Sequence, residues 1–228
     1  FKEVVIGGAK LNREVEKFLR KIKFRFAIGY GMTECGPLIS YDGWKTTKKY
    51  SAGKPIDPLE VKIDSEHPAK KVGEILIKGE NVMLGYYKDE EETNKTFTED
   101  GWMRSGDLGI LDADNYLFIK GRNKSMILGA SGKNIYPEEI ESKISNKYLV
   151  GECLVVSRNN KIHAIIYPDH EKRINEGIHK SKIPEILEKY RQEVNEDLPA
   201  YMHISKMQIK EEEFEKTPKK SIKRYLYE

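Results

Sequence analysis

The sequence predicts a mixed α+β chain in three successive parts: the end of a layered α/β unit over residues 1–49, a small barrel-like region over 50–121, and an α+β tail over 122–228. Three observations carry this division. Two short apolar runs, each closed by glycine, flank an amphipathic helical pattern near the start. Gly, Pro, Asp and Asn then cut the middle into short strand-like pieces. Beyond Gly121, helical and strand patterns return with apolar residues of their own.

Glu3-Val4-Val5-Ile6 reads as a short buried strand ending at Gly7-Gly8-Ala9. Leu11, Val15, Phe18, Leu19 and Ile22 then fall at helical spacing, which predicts a helix over 11–22. A second strand over 24–28 runs into Gly29-Tyr30-Gly31-Met32-Thr33-Glu34. Two strands and one helix bury too little surface to stand alone, so this piece needs further sheet to cover it. The chain also starts in mid-strand without Met, as a fragment of a longer protein would. In the middle region the strand candidates are 59–63, 73–78, 108–111 and 116–120, with Asp112-Ala113-Asp114-Asn115 as the turn between the last two. The polar run from Lys88 to Thr93 reads as a helix start. In the tail, Pro137 followed by Glu138 and Glu139 marks a helix N-terminus, because proline suits the first turn and acids suit the dipole there. Residues 153–156 and 162–167 pair as strands around Asn159-Asn160, and 184–194 forms an amphipathic helix.

Hydrophobic residues make up 38% of the chain and charged residues 34%, enough apolar content for a core and too much for a disordered chain. A net charge of +3 spread over 77 charged side chains makes no basic stripe, so nucleic acid is not expected as a partner. Cys35 and Cys153 have no metal or disulfide spacing and point to a reducing, cytoplasmic setting. No apolar run approaches the roughly 18–20 residues of a membrane span, which leaves only peripheral membrane contact open.

Several short segments carry chemistry. Glycines at a strand end, as in Gly7-Gly8-Ala9, let a ligand approach the backbone closely, or simply make a turn. Tyr30 reads either as core packing or as a face for a planar base. Thr33 and Glu34 together offer a donor for a phosphate oxygen and an oxygen ligand for Mg²⁺; the alternative is a capped turn. Asp107, in Arg104-Ser105-Gly106-Asp107-Leu108, can accept from two ribose hydroxyls or can fix a turn. Arg122, in Gly121-Arg122-Asn123-Lys124, has a fork suited to ribose or phosphate but is also an ordinary surface residue type.

The order and spacing of these segments, with 73–79 and Gly85-Tyr86-Tyr87 between them, is similar to the adenylate-forming superfamily. That group includes acyl-CoA synthetases, luciferases and the adenylation domains of nonribosomal peptide synthetases. The resemblance runs through nearly all of the 228 residues, and the stretch 121–141 looks most like bacterial long-chain fatty-acid–CoA ligases. It implies that residues 1–49 end a large AMP-binding domain and that 122–228 form a mobile C-terminal domain. It implies an ATP-dependent ligase that forms a fatty acyl-adenylate and then acyl-CoA, with ATP, Mg²⁺ and coenzyme A as its small-molecule partners. By the same resemblance, Gly7, Gly8, Ala9 and Tyr30 hold adenine, Thr33 contacts the adenylate phosphate and Glu34 coordinates Mg²⁺. Asp107 binds the ribose hydroxyls, Arg122 contacts the nucleotide, Lys124 is the hinge, and Gly132 (or its neighbour Ser131) lets the pantetheine arm pass.

Two departures qualify this. The family's phosphate loop and acyl pocket are absent from the sequence, so these residues alone are expected to be inactive and to need the missing N-terminal portion. Near the end, the family's Gly-Lys pair before Ile-x-Arg is replaced by Lys220-Ser221-Ile222-Lys223-Arg224; ungapped, Ser221 stands at the lysine position, and Lys220 is the lysine expected to serve adenylation. A carrier protein in place of coenzyme A, or a non-catalytic nucleotide-binding module, are the alternative functions.

Overall fold

The computed structural model describes residues 2–218 and 220–228. The chain divides into two compact units, Phe1–Lys124 and Ser125–Glu228. Among the described residues no helix is long and apolar enough to cross a membrane.

The first unit opens with β1 (Val4–Ile6), α1 (Arg13–Lys21) and β2 (Phe26–Ile28). Asn12 starts α1, its side chain accepting from the Glu14 and Val15 amides at 2.8 and 3.3 Å, which satisfies two of the otherwise orphaned donors. β1 and β2 pair in parallel, with Ile6 opposite Ile28. The strand expected to be buried is not, because so small a layer has little to cover it: Val4 and Val5 of β1 are exposed, and on and after α1 Val15, Phe18 and Ile22 face outward, Phe18 at 59%. What α1 does bury is an acid. Glu16 is 1% exposed and accepts from Arg20 Nε and the Tyr50 amide, both at 2.9 Å.

Three short strands follow as one sheet: β3 (Tyr30–Gly31), β4 (Leu38–Tyr41) and β5 (Lys54–Pro55). Gly31 is obligatory there, since a Cβ would lie 2.0 Å from the Pro37 carbonyl oxygen. Next come β6 (Glu60–Asp64), β7 (Gly73–Lys78), α2 (Glu90–Thr96), β8 (Met103–Leu111) and β9 (Leu117–Arg122). The barrel-like expectation for 50–121 resolves as an open antiparallel sheet in the order β6-β7-β8-β9, with β6 and β9 as its edges. Its inner face packs Ile63, Ile75, Ile77, Met103 and Leu117 against Cys35 and Ile39, so this sheet and the β4 region share one core.

The second unit contains β10 (Ile127–Leu128), β11 (Asn134–Ile135), α3 (Pro137–Ile144), β12 (Val150–Arg158), β13 (Lys161–Pro168), α4 (His170–Asn175), α5 (Ile183–Glu196) and β14 (Ile204–Ile209). β12 and β13 form a hairpin whose two turn residues, Asn159 and Asn160, both take positive φ. That is the turn whose twist matches a two-residue hairpin, and asparagine tolerates it. β14 joins β13 in parallel after the α4–α5 crossover. Side chains alternate across this sheet as its period of two requires. Cys153, Val155, Ala164 and Ile166 face α3 and α5, while Leu154, Val156 and Ile165 face Phe214, Ile222 and Tyr227 of the C-terminal segment.

Candidate active site

β1 and β2 run in parallel, so the residues after each strand emerge on the same edge. Carboxyl ends of parallel strands are where open α/β sheets place ligands. Gly7 follows β1 and Gly29 follows β2; the Gly29 amide bonds the Ile6 carbonyl at 3.0 Å, and a Cβ on Gly7 would stand 3.2 Å from the Gly29 oxygen. Gly8 has φ +84° with nothing within 4 Å of an added Cβ, and Gly7, Gly8 and Ala9 are all exposed. The Gly-Gly-Ala turn and Tyr30 are thus brought to one place by two hydrogen-bonded strands.

Tyr30 reaches the four-stranded sheet. Its Oη donates to Asp107 Oδ2 at 2.8 Å, and Arg122 Nε lies 3.2 Å from Oδ1 of the same carboxylate. Burial, and then the negative charge of Asp107, push the Tyr30 hydroxyl far above its ordinary range, so it acts as a neutral donor. The Asp107 side chain is 14% exposed and that of Arg122 74%. A carboxylate offers about four acceptor sites. Tyr30 and Arg122 thus fix the plane of a group that can only accept.

The aim of Asp107 comes from an irregularity in β8. Leu108 pairs with Glu74 and Arg104 with Leu76, so Ser105, Gly106 and Asp107 stand where the partner strand supplies only Ile75. Such bulges re-aim side chains beside sites. Gly106 takes φ +72°, and Glu74 holds the bulge by accepting from its amide at 3.1 Å and from Arg104 at 3.0 Å. The Ser105 hydroxyl accepts from the Asp107 amide at 3.1 Å. On the other side, Asp107 and Arg122 are register partners of β8 and β9, which makes their pairing a consequence of the hairpin.

Thr33 and Glu34 begin a 3-10 turn one residue after β3, with Met32 between. Thr33 is exposed and Glu34 half-buried, with Tyr86 Oη donating to Glu34 Oε1 at 3.1 Å and the Met83 amide bonding its carbonyl at 2.8 Å. No group of three or more metal-ligating side chains occurs among the described residues. A single carboxylate is still a sufficient protein ligand for Mg²⁺ when substrate phosphates and water complete the octahedron, and Glu34 fits that limited role.

Gly7, Gly8, Ala9, Tyr30, Thr33, Glu34, Asp107 and Arg122 therefore all belong to the first unit. Lys124 is its last residue and lies in a 3-10 turn, Asn123–Ser125. Gly132 and Lys220 belong to the second unit. Gly132 sits at the tip of the β10–β11 hairpin with φ +73° and is exposed. Lys220 closes a turn through its amide to the Thr217 carbonyl at 2.8 Å, with φ +60°. That left-handed backbone is one glycine adopts freely. It occurs where the ungapped register puts the family's glycine, with Ser221 next to it. Glu74, Ser105 and Tyr86 all lie in segments the sequence marks out, yet none carries a role there, and the bond from Tyr86 to Glu34 spans 52 residues.

Two family models match the chain, one described as AMP-binding enzyme over residues 1–87 and one as AMP-binding enzyme C-terminal domain over 124–228. The probable acyl-activating enzyme 9 of Arabidopsis thaliana is 30% identical over 253 residues, covering 98% of this chain and 44% of the relative. A 2-succinylbenzoate–CoA ligase of Bacillus cytotoxicus is 40% identical over 138 residues (58% of this chain, 28% of the relative), and the long-chain-fatty-acid–CoA ligase FadD15 of Mycobacterium tuberculosis is 33% identical over 152 (67% and 24%). Among solved structures, o-succinylbenzoate CoA synthetase (MenE) of Bacillus subtilis with the acyl-adenylate intermediate OSB-AMP superposes with a TM-score of 0.84 at 27% identity, over 100% of this chain and 46% of that one. The same enzyme with ATP and magnesium ion gives 0.80 at 28% identity, over 97% and 45%. The chain spans less than half the length of these relatives. Its motifs, its fold and the two family models together show that it belongs to the AMP-binding, adenylate-forming enzyme superfamily.

Proposed function

We propose that the chain is part of an ATP-dependent, AMP-forming acid–CoA ligase that acts on fatty acids. The observation that carries this is the Asp107 carboxylate, fixed between the Tyr30 hydroxyl and the Arg122 guanidinium beside the carboxyl ends of two parallel strands. A ribose diol, with its two hydroxyl donors, is a ligand that an oriented carboxylate can accept from. The fatty-acid preference is supported by the long-chain-fatty-acid–CoA ligases among the relatives and by the 121–141 stretch. The exposed apolar face of β1 and α1 supports a further segment of the same protein packing there.

In this reading Gly7, Gly8 and Ala9 approach the adenine with bare backbone while the Tyr30 ring lies against it. Asp107 accepts from the ribose hydroxyls, Thr33 donates to the α-phosphate and Glu34 holds Mg²⁺, which neutralises charge on the phosphates when bound. The substrate carboxylate oxygen attacks the α-phosphorus and pyrophosphate leaves. The thiol of coenzyme A, losing its proton, then attacks the acyl carbon and AMP departs. Lys220 supplies positive charge for the first step, Lys124 is the hinge, and Gly132 gives the pantetheine arm room. Two buried, unpaired thiols, Cys35 and Cys153, support a reducing cytoplasmic setting.

Carboxylate-dependent exchange of labelled pyrophosphate into ATP by the full-length protein tests the proposal. Exchange with fatty acids, followed by thioester formation when coenzyme A is supplied, is the expected result. No exchange with any carboxylate refutes it, and transfer only to a phosphopantetheinylated carrier moves the acceptor.

A further inference from the structure

The C-terminal segment of the second unit is fastened at both ends of a tight loop. Phe214 ahead of the loop, and Ile222 and Tyr227 after it, pack on Leu154, Val156 and Ile165. Between them Lys216 bridges Ile222, the Thr217 amide bonds the Ser221 carbonyl at 2.8 Å, and the Lys223 amide bonds the Glu215 carbonyl at 2.8 Å. Apolar contacts of this kind are non-directional and do not by themselves fix the orientation of the loop. Directional contacts tie it to the sheet: Lys216 Nζ lies 2.5 Å from Glu152 Oε1, Arg158 Nη2 donates to the Tyr227 carbonyl at 3.3 Å, and the most secluded of its ion pairs is Glu141–Arg224.

Arg224 Nη1 donates to the Val155 carbonyl at 2.6 Å, and Nη2 donates to Glu141 Oε1 at 2.7 Å. The same carboxylate oxygen accepts from the Val155 amide at 2.8 Å. β12 is an edge strand of the β12-β13-β14 sheet. The Glu141–Arg224 pair thus gives the Val155 amide and carbonyl the partners that a neighbouring strand would give. It is also secluded, with side-chain exposures of 16% and 17%. Burial pushes the Glu141 carboxyl upward against the opposing pull of Arg224 and the Val155 amide. A charge this far from water holds its partner in one geometry, and the planar fork adds orientation that a lysine lacks.

We infer that Glu141 and Arg224 form a positioning pair that sets the loop between Lys216 and Ile222, and with it Lys220, for the adenylation step. The inference rests on the acid–CoA ligase reading. It assigns no contact with substrate to either residue. Glu141 lies on α3, 83 residues from Arg224, and acts only through the backbone that Arg224 anchors.

The test uses Glu141→Gln and Arg224→Lys in the full-length protein, with three readouts. Hydrogen exchange follows the Thr217, Lys220 and Lys223 amides against the β13 amides of Ile165 and Ile166. Pyrophosphate exchange follows adenylation, and acyl-CoA formation from supplied acyl-adenylate follows the second step. For Glu141→Gln the expected result is at least about tenfold faster exchange of the loop amides alone and a tenfold lower adenylation kcat. The KM for ATP and the second step should stay within about twofold of the parent. Arg224→Lys, which keeps the charge but loses the fork, should lie between the parent and Arg224→Met in adenylation, and it carries the test if Glu141→Gln does not fold. A parallel fall of both half-reactions, or a loosened loop with adenylation at the parent rate, overturns the inference. Unchanged loop amides overturn it too. If the parent itself exchanges no pyrophosphate, the ligase reading and the adenylation role fail together, while the amide rates still decide whether the pair holds the loop.

Discussion

Removing the Asp107 carboxylate is the sharpest perturbation the first unit offers, because its structural and functional costs can be worked out separately. In Asp107→Ala the Tyr30 hydroxyl loses the acceptor 2.8 Å away. Loss of that acceptor costs about 1–3 kcal/mol, toward the low end because Tyr30 is half-buried and its hydroxyl also bonds Ser105. The Arg122 contact adds little, since that side chain is 74% exposed and a solvated pair is worth about 0–1 kcal/mol. At roughly 2–4 °C per kcal/mol for a chain of this size, the melting temperature should fall by about 2–12 °C. If the carboxylate also accepts from two ribose hydroxyls, each charge-assisted bond contributes about 1.5–3 kcal/mol, and nucleotide affinity should fall on the order of 10²–10⁴-fold. Asp107→Asn keeps an acceptor for Tyr30 and should separate the two effects, with most of the stability retained and most of the affinity lost. Tyr30→Phe should do the reverse. Titration calorimetry with ATP on the full-length protein, beside thermal melts, reads both quantities. Nucleotide affinity within about threefold of the parent in Asp107→Ala, despite a lower melting temperature, would refute the ribose assignment.

Lys124→Pro restricts the backbone at the junction of the two units and should lower at least one half-reaction tenfold or more, with the melting temperature within about 4 °C of the parent; unchanged rates for both half-reactions would remove the hinge. Burial lifts the Cys153 thiol to about 12 and that of Cys35 to about 11, which keeps both protonated at neutral pH. Both should therefore react with a disulfide reagent at pH 8 roughly a thousandfold slower in the folded protein than after denaturation, and a rapid native reaction would contradict this. Asp169 caps α4 by accepting from the Lys172 amide at 3.0 Å, and that bond holds its carboxyl below the usual carboxylate range. A depressed acid stabilises the fold above its unfolded pKa and loses this as pH falls through the folded value. Asp169→Ala should thus cost about 0.5–2 kcal/mol at pH 7, and melts repeated toward pH 3 should show the gap from the parent closing.

Elements whose pattern is local were legible from the sequence. The strand–helix–strand start, the β7 strand, the proline-led α3 and the Asn-Asn hairpin follow from periodicity and turn chemistry within a few residues. β14 was not legible, because its place is set by a parallel partner 42 residues upstream and by Asn195, whose side chain clasps both backbone groups of Ile204 at 2.8 and 3.0 Å. The segment before Leu108 read as a turn because Gly106 and Asp107 are turn residues, yet it is a bulge inside a nine-residue strand. The family's motif order singled out Asp107 and Arg122 separately but not their pairing across the β8–β9 hairpin, and Tyr30–Asp107 spans 77 residues and Glu141–Arg224 spans 83. Contacts at such separations leave no periodic trace.

Both faces of the β12-β13-β14 sheet are clothed by the second unit's own chain, helices on one side and the C-terminal segment on the other. Ser125–Glu228 therefore has the makings of a self-sufficient module. It is small enough for isotope labelling and resonance assignment, and a natural cassette for exchange between relatives.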